Sequence, residues 1–229
     1  MRERKVAIFD VDGTIFRSSL AIELTERLVE EGIFDASVRR EYEREKRKWF
    51  EREGGYEHYI DAVVGVFMEN IKGVAYEDFQ HVAQRTVAER KKQVYRYSRD
   101  LLKELKRKNY FLLAISQSPK AVLDIFCKKM GFDKNYGRIY EVGPQDRFTG
   151  AISDVHLIEN KANIVRRAVE RENLTLKGSV GVGDTEGDIP FLEMVERPIC
   201  FNPNMQLYRY GKRMGWEIVV ERKDVIYKI

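Results

Sequence analysis

The segment VAIFDVDGT, Val6 to Thr14, constrains the fold more than any other part of the chain. Val6, Ala7, Ile8 and Phe9 are apolar without alternation, so a strand over Lys5 to Phe9 must be covered on both faces. That is the position of a central strand in a parallel sheet with helices above and below. The strand then runs into two carboxylates, Asp10 and Asp12, and a turn signal at Asp12-Gly13. Ligands of open parallel sheets bind beyond the carboxyl ends of the strands. An acidic strand end therefore puts acid where such a fold does its chemistry.

The pattern changes after this strand. From about Ser19 to about Arg96 the sequence reads as helix throughout. Leu20, Leu24 and Leu28 share one face, with Gly32 as a stop. Val38, Tyr42 and Trp49 form a stripe in the charged segment RREYEREKRKWFERE, which Gly54-Gly55 ends. Further helices are predicted over Tyr59 to Ile71 and Tyr76 to Tyr95. From about Asp100 helices and strands alternate. LLKELKRKNY is a helix and YFLLAIS a buried strand; SPKAVLDIFCKKMG is a helix with Ser118 as N-cap, Pro119 first and Gly131 as stop. A hairpin is predicted around Gly143-Pro144, a helix over Asn160 to Asn173, strands at GSVGVGD and PICFN, and an edge strand at WEIVV. The reading is an α/β fold: a doubly wound parallel, Rossmann-like sheet with an inserted α-helical cap and a small β-hairpin. Residues 1–15 and 96–229 would form the core and 16–95 the cap.

Composition narrows the function classes. Forty-one basic and 37 acidic residues leave a net charge of +4, interleaved rather than clustered, so nothing suggests a nucleic-acid partner. The segment over 16–95 carries 14 basic and 16 acidic residues and is no positive funnel for a large polyanion. The two cysteines, Cys127 and Cys200, form no metal-ligand pair and fit a reducing compartment. The apolar start is too short for a signal peptide, and no run approaches a membrane span. The expectation is a cytoplasmic protein without membrane or nucleic-acid partners, acting as a monomer or small homo-oligomer. His58, His81 and His156 match no metal-ligand spacing, although His58 could meet a substrate from the cap.

Three predicted strands end in polar residues at one sheet edge: Asp10 and Asp12, Ser116, and Asp184. Carboxylates crowded at one place raise each other's pKa unless a cation shares them. With Mg²⁺ present, one aspartate can stay ionised as a nucleophile while another handles a proton. GDTEGD supplies Asp184 and Asp188, and Mg²⁺ favours a few carboxylates plus water and phosphate oxygens. Lys161 opens a predicted helix, where a cation opposes the helix dipole unless an anion lies beside it. Each residue also has a plainer reading: Asp12-Gly13 as a turn, Ser116 as a strand end, Lys120 as a solvated cation. GVGDTEG has the wrong glycine spacing for a dinucleotide site.

These residues resemble the motifs of the haloacid dehalogenase-like hydrolase superfamily. FDVDGT is similar to its first motif, the serine ending LLAIS to its second, Lys161 in ENKANIV to its third and GDTEGD to its fourth, in the same order. The helical insertion after the first motif resembles the phosphoserine-phosphatase-like branch. The resemblance implies a Mg²⁺-dependent phosphatase acting on a small phosphorylated metabolite. Asp10 would be the nucleophile and Asp12 the acid and base. Asp10, Asp12 through its carbonyl, Asp184 and Asp188 would make the metal site. Ser116, Lys161, Thr14, Gly13 and Gln117 would make the phosphate site. The branch's glutamate for a substrate amine is matched by Ser19, with Glu23 as a displaced substitute, and its cap arginine has no counterpart in YIDAVVGVF. Alternatives are a phosphotransferase or phosphomutase using the same intermediate, or a non-catalytic phosphate-binding protein.

Overall fold

A computed structural model describes residues 3–153 and 160–229. Strand β1 (Arg4–Asp10) lies in the interior of an eight-stranded sheet. Its neighbours are β2 (Phe111–Pro119) and β5 (Leu174–Gly183), both parallel to it. Beyond β2 come β3 (Lys134–Val142) and then β4 (Phe148–Ser153). Beyond β5 come β6 (Arg197–Phe201), β7 (Glu217–Arg222) and β8 (Val225–Lys228). Among the described residues only the β3–β4 and β7–β8 strand pairs are antiparallel.

Alternation along the strands builds two cores. Ala7, Phe9, Leu112, Ala114 and Val182 face one layer, with Leu101 and Leu102 of α5 (Arg96–Arg107) and Val122 and Phe126 of α6 (Lys120–Met130). Val6, Ile8, Leu113 and Ile115 face the other. There they meet α7 (Lys161–Arg171), the short α8 (Ile189–Leu192) and Leu207 of α9 (Met205–Met214). Val6 to Phe9 are fully buried, as a strand covered on both faces requires.

Between β1 and α5 the chain forms four α-helices: α1 (Leu20–Glu30), α2 (Arg39–Phe50), α3 (Tyr56–Asn70) and α4 (Tyr76–Arg90). Phe67 of α3 organises them, with rings of Phe34, Phe79 and Tyr140 at 5.9, 6.1 and 5.0 Å. Tyr140 belongs to β3, so the insertion and the hairpin share this cluster. Their backbones also join: Gly73 N donates to Phe148 O at 2.8 Å, and Phe148 N to Val74 O at 3.0 Å. The chain enters and leaves the insertion side by side, tied by Tyr95 N to Ile15 O and Arg17 N to Gln93 O, both 2.9 Å. Among the described residues no helix is long and apolar enough to cross a membrane.

The hairpin and the helical insertion form as expected, but four details differ. WEIVV is not an edge, because β7 has β6 on one side and β8 on the other. The helix expected over Tyr76 to Tyr95 stops at Arg90, and the chain then turns back to pair with the loop after β1. β5 starts at Leu174 rather than Gly178, its register shifting against β1 between Lys5 and Ala7. Ser118 does not cap α6: β2 continues to Pro119, which occupies the N-cap position without a side-chain hydrogen bond. The Ser118 hydroxyl is engaged across the chain instead, accepting from Ala21 N at 3.1 Å.

The junction of β2 and β3 depends on Gly137. A Cβ there would lie 2.9 Å from the carbonyl oxygen of Ser118 and 3.0 Å from the Cα of Lys120, both backbone atoms that cannot swing away. Gly137→Ala should therefore cost about 1–3 kcal/mol in urea unfolding, and an unchanged midpoint would contradict this close approach.

Candidate active site

β1 delivers Asp10 at its end, and the chain then closes a tight loop. Val11 O accepts from Ile15 N at 2.9 Å and from Phe16 N at 2.8 Å. Gly13 has φ +83°, and a Cβ on it would stand 2.1 Å from Asp184 Oδ2. Glycine is needed here for both reasons: the left-handed backbone and the carboxylate pressed against it. Thr14, fully buried, donates to Asp184 Oδ1 at 3.1 Å. The loop after β1 thus holds the carboxylate delivered by the end of β5.

Lys161 lies at the centre. Asn160 caps α7 through its side chain, which accepts from Ala162 N at 3.0 Å. The first residue of the helix is then free to point its ammonium inward. Lys161 Nζ donates to Asp10 Oδ1 at 2.6 Å and to Asp188 Oδ1 at 2.5 Å. Their side chains are only 7%, 7% and 0% exposed for Lys161, Asp10 and Asp188. The other Asp188 oxygen accepts from the backbone N–H of Asp184 at 2.9 Å and of Thr185 at 3.1 Å. Asp188 therefore holds both the cation and the loop that carries Asp184.

Asp12 is held differently. Its Oδ1 accepts from Leu20 N at 2.6 Å, and its Oδ2 from the hydroxyls of Ser116 and of Ser118, the latter at 2.8 Å. Burial raises the Asp12 carboxyl above the usual range, and the hydrogen bonds from Ser116, Leu20 N and Ser118 oppose it. Burial also pushes Asp10 up to about 8, Lys161 working against it and Asp188 and Asp12 with it. Asp184 is raised by burial and by the charges of Asp10 and Asp188. Burial would lower the Lys161 ammonium, but Asp10 and Asp188 outweigh it and raise it.

One atom has nothing against it. Asp10 Oδ2 is buried and has no hydrogen-bond partner among the described residues. Asp10, Asp184 and Asp188 each offer an oxygen, all within 4.8 Å of one another. An oxygen-only donor set with an unclaimed carboxylate oxygen fits a hard divalent cation such as Mg²⁺.

The sequence-predicted residues Asp10, Asp12, Gly13, Thr14, Ser116, Lys161, Asp184 and Asp188 thus come together. Gln117 does not join them through its side chain, which is exposed and accepts from Arg138 at 3.2 Å. Lys120 pairs with Asp124, away from the acids. Ser19 is the N-cap of α1, accepting from Ala21 N at 3.2 Å, and Glu23 pairs with Arg90 at 3.1 Å. His58 and His81 are exposed, and His156 lies outside the described residues. The residue missed was Ser118. Two positions beyond Ser116, it faces the same side of one strand, so a strand extended past LLAIS would have found it.

The profile of the haloacid dehalogenase-like hydrolase family (HAD) matches residues 7–193. A histidinol-phosphatase of Neisseria meningitidis is 23% identical over 221 residues, covering 94% of this chain and 98% of that protein. A phosphoserine phosphatase of Archaeoglobus fulgidus is 25% identical over 203 residues, covering 88% of this chain and 53% of that one. Among solved structures, a protein of unknown function from Bordetella pertussis superposes with TM-score 0.72 at 20% identity, covering 95% and 98% of the two chains. A phospho-aspartyl intermediate analogue of phosphoserine phosphatase superposes with TM-score 0.64 at 20% identity, covering 97% and 96%.

The buried ion triad predicts its own stability signature. Lys161→Met leaves Asp10 and Asp188 facing each other without a cation, at a cost of roughly 3–5 kcal/mol near neutral pH. Asp10, raised by burial, binds its proton more tightly folded than unfolded, so this loss should shrink as pH falls toward 5. Urea unfolding at both pH values tests it; an equal loss at each would contradict the triad.

Proposed function

The chain belongs to the haloacid dehalogenase-like hydrolase family, and from that premise we propose that it is a Mg²⁺-dependent phosphatase, cleaving a small phosphomonoester through an aspartyl-phosphate on Asp10. The observation that carries this reading is the contrast between two aspartates on one strand end. Asp10 keeps a free buried oxygen, and both oxygens of Asp12 are held by hydroxyls and a backbone N–H.

One carboxylate oxygen of Asp10 attacks phosphorus as the ester P–O bond breaks. Asp12, whose burial favours the protonated form, gives its proton to the departing alkoxide. Asp12 then accepts a proton from water, whose oxygen attacks the aspartyl-phosphate. Inorganic phosphate leaves, and Asp10 is restored. Ser116 and Lys161 bind phosphoryl oxygens by hydrogen bond and charge. Gln117 has only its main chain to offer, since its side chain turns to Arg138. Thr14 and Gly13 set the position of Asp184. Asp10, Asp184 and the carbonyl of Asp12 would hold Mg²⁺, with Asp188 in support; bound there, the ion keeps Asp10 ionised and offsets charge on the phosphoryl group.

The helices over 16–95 act as a cap that selects the leaving group. Ser19 is used as a helix cap and Glu23 is bound to Arg90, so neither is free to hold the amine of serine phosphate, and the reading does not extend to that substrate.

Two measurements test the reading. Phosphate release from p-nitrophenyl phosphate should require Mg²⁺, and Asp10→Asn should lower kcat by roughly a thousandfold or more. Chelator-resistant activity, or an Asp10→Asn enzyme as active as wild type, would overturn it. The second is a pH series. Asp10, raised to about 8, contributes stability that is complete below the ordinary carboxylate range and lost as pH rises through its folded value. Metal-free protein should therefore become less stable between pH 5 and 8, by about the same reasoning that makes added Mg²⁺ raise Tm most at the alkaline end. A Mg²⁺ effect independent of pH would count against ligation by Asp10.

A further inference from the structure

One side chain of the core reaches across to the insertion, and the catalytic reading gives it no task. Asn204 follows β6 and is the N-cap of α9, where its Oδ1 accepts from Leu207 N at 3.0 Å. That duty is local, and any good capping side chain would perform it. The backbone N–H of Asn204 donates to Asp184 O at 2.8 Å, so the residue is anchored to one of the three clustered acids. Its remaining group, the Nδ2 amide, has two acceptors. One is the Glu186 carboxylate, two residues past Asp184. The other is Glu57 Oε1 at 3.3 Å, on the second residue of α3.

Both acceptors are anions, and that decides what the amide does. Glu57 belongs to the insertion and Glu186 to the loop after β5, and among the described residues neither forms a salt bridge. The charge of Glu186, ahead of burial, raises the Glu57 carboxyl, as two facing anions require. Without a donor between them, these carboxylates push the start of α3 away from the loop. A neutral amide that donates to each of them turns that repulsion into attachment, through hydrogen bonds of the stronger, charge-assisted kind. The other hydrogen bonds from insertion to core lie elsewhere, at Gly73 and Val74 along the hairpin and at Leu20 and Ala21 beside Asp12 and Ser118.

We propose that Asn204 is a positioning residue for the reaction: its amide, held between Glu186 and Glu57, fixes the start of α3 against the loop that carries Asp184. The proposal rests on the phosphatase reading for its effect on turnover, but not for the contact itself. An insertion that selects the leaving group must keep a fixed place relative to the acids. The fraction of molecules with α3 docked then scales the apparent affinity for substrate. Chemistry in the docked molecules is untouched, so KM carries the effect and kcat does not.

Asn204→Asp separates this role from the helix cap. Aspartate caps a helix as well as asparagine does and keeps the backbone N–H to Asp184, but it puts a third carboxylate where Nδ2 stood. The tests are hydrogen–deuterium exchange on the whole protein and kinetics on p-nitrophenyl phosphate at saturating Mg²⁺. Amides over 52–64 should exchange about tenfold faster while α9 and β1 keep their rates, and KM should rise about tenfold with kcat kept, as expected for one lost hydrogen bond to a charged group. Adding Glu57→Gln supplies an amide that donates to the new carboxylate, and should recover most of both effects. Exchange that quickens only in α9, or a double variant that recovers nothing, reduces Asn204 to a helix cap and overturns the proposal. Unchanged exchange and KM also overturn it, and leave the phosphatase reading standing. Exchange that quickens over 52–64 in a protein whose wild type releases no phosphate keeps the contact and overturns the phosphatase reading.

Discussion

Everything at the site depends on one buried cation. Lys161 lies between Asp10 and Asp188, and together with Asp184 they form a group that water no longer reaches freely. Three acids converging at the ends of β1 and β5 would repel one another and resist ionisation. The lysine makes the convergence tolerable by touching two of them, 151 and 27 residues away in sequence. It leaves one oxygen of Asp10 open, so the cluster is neutralised only in part. A helix N-terminus is an unfavourable place for a lysine. Here the anions supply what the dipole does not, and Asn160 takes over the capping duty.

Asp10 and Asp12 show how environment separates two chemically identical groups. They leave the same strand two residues apart. One is pulled toward Lys161 on α7, the other toward Ser116 and Ser118 on β2 and the start of α1. The first is matched to a cation; the second is raised by burial while neutral donors hold it down. The division of labour proposed for them, nucleophile and proton carrier, would follow from which neighbouring strand or helix each side chain meets, and needs no difference in residue type.

Much of this was legible in the chain because Asp10 ends a buried strand, Asp184 follows one and Lys161 opens a helix, and both kinds of boundary leave marks. Val6 to Phe9 announce a central strand by lacking alternation, and Asp10 and Asp184 stand at the ends of β1 and β5, while β2 runs on past Ser116 to Pro119. What stayed hidden was set by distant partners. Ser118 looked like a helix cap because serine before proline and a helix is a local signal. Its actual partners, Asp12 and Ala21, are remote in sequence. Gln117 looked like a phosphate ligand by adjacency, but strand alternation turns its side chain to the opposite face. β8 was missed because four residues with three of them exposed carry almost no burial pattern.

The seam between the hairpin and the insertion makes the attachment of the insertion lopsided. On one flank, main-chain bonds join Gly73 and Val74 to Phe148, and Phe67 and Tyr140 interlock behind them. Because β3 runs without interruption from the central sheet into the hairpin, that flank is continuous with the strand holding Ser116 and Ser118. The opposite flank is held by Asn204 reaching to Glu57, a contact between side chains. The insertion is thus joined to the sheet by main chain along the hairpin, and at Asn204 by a contact that a single side-chain substitution removes.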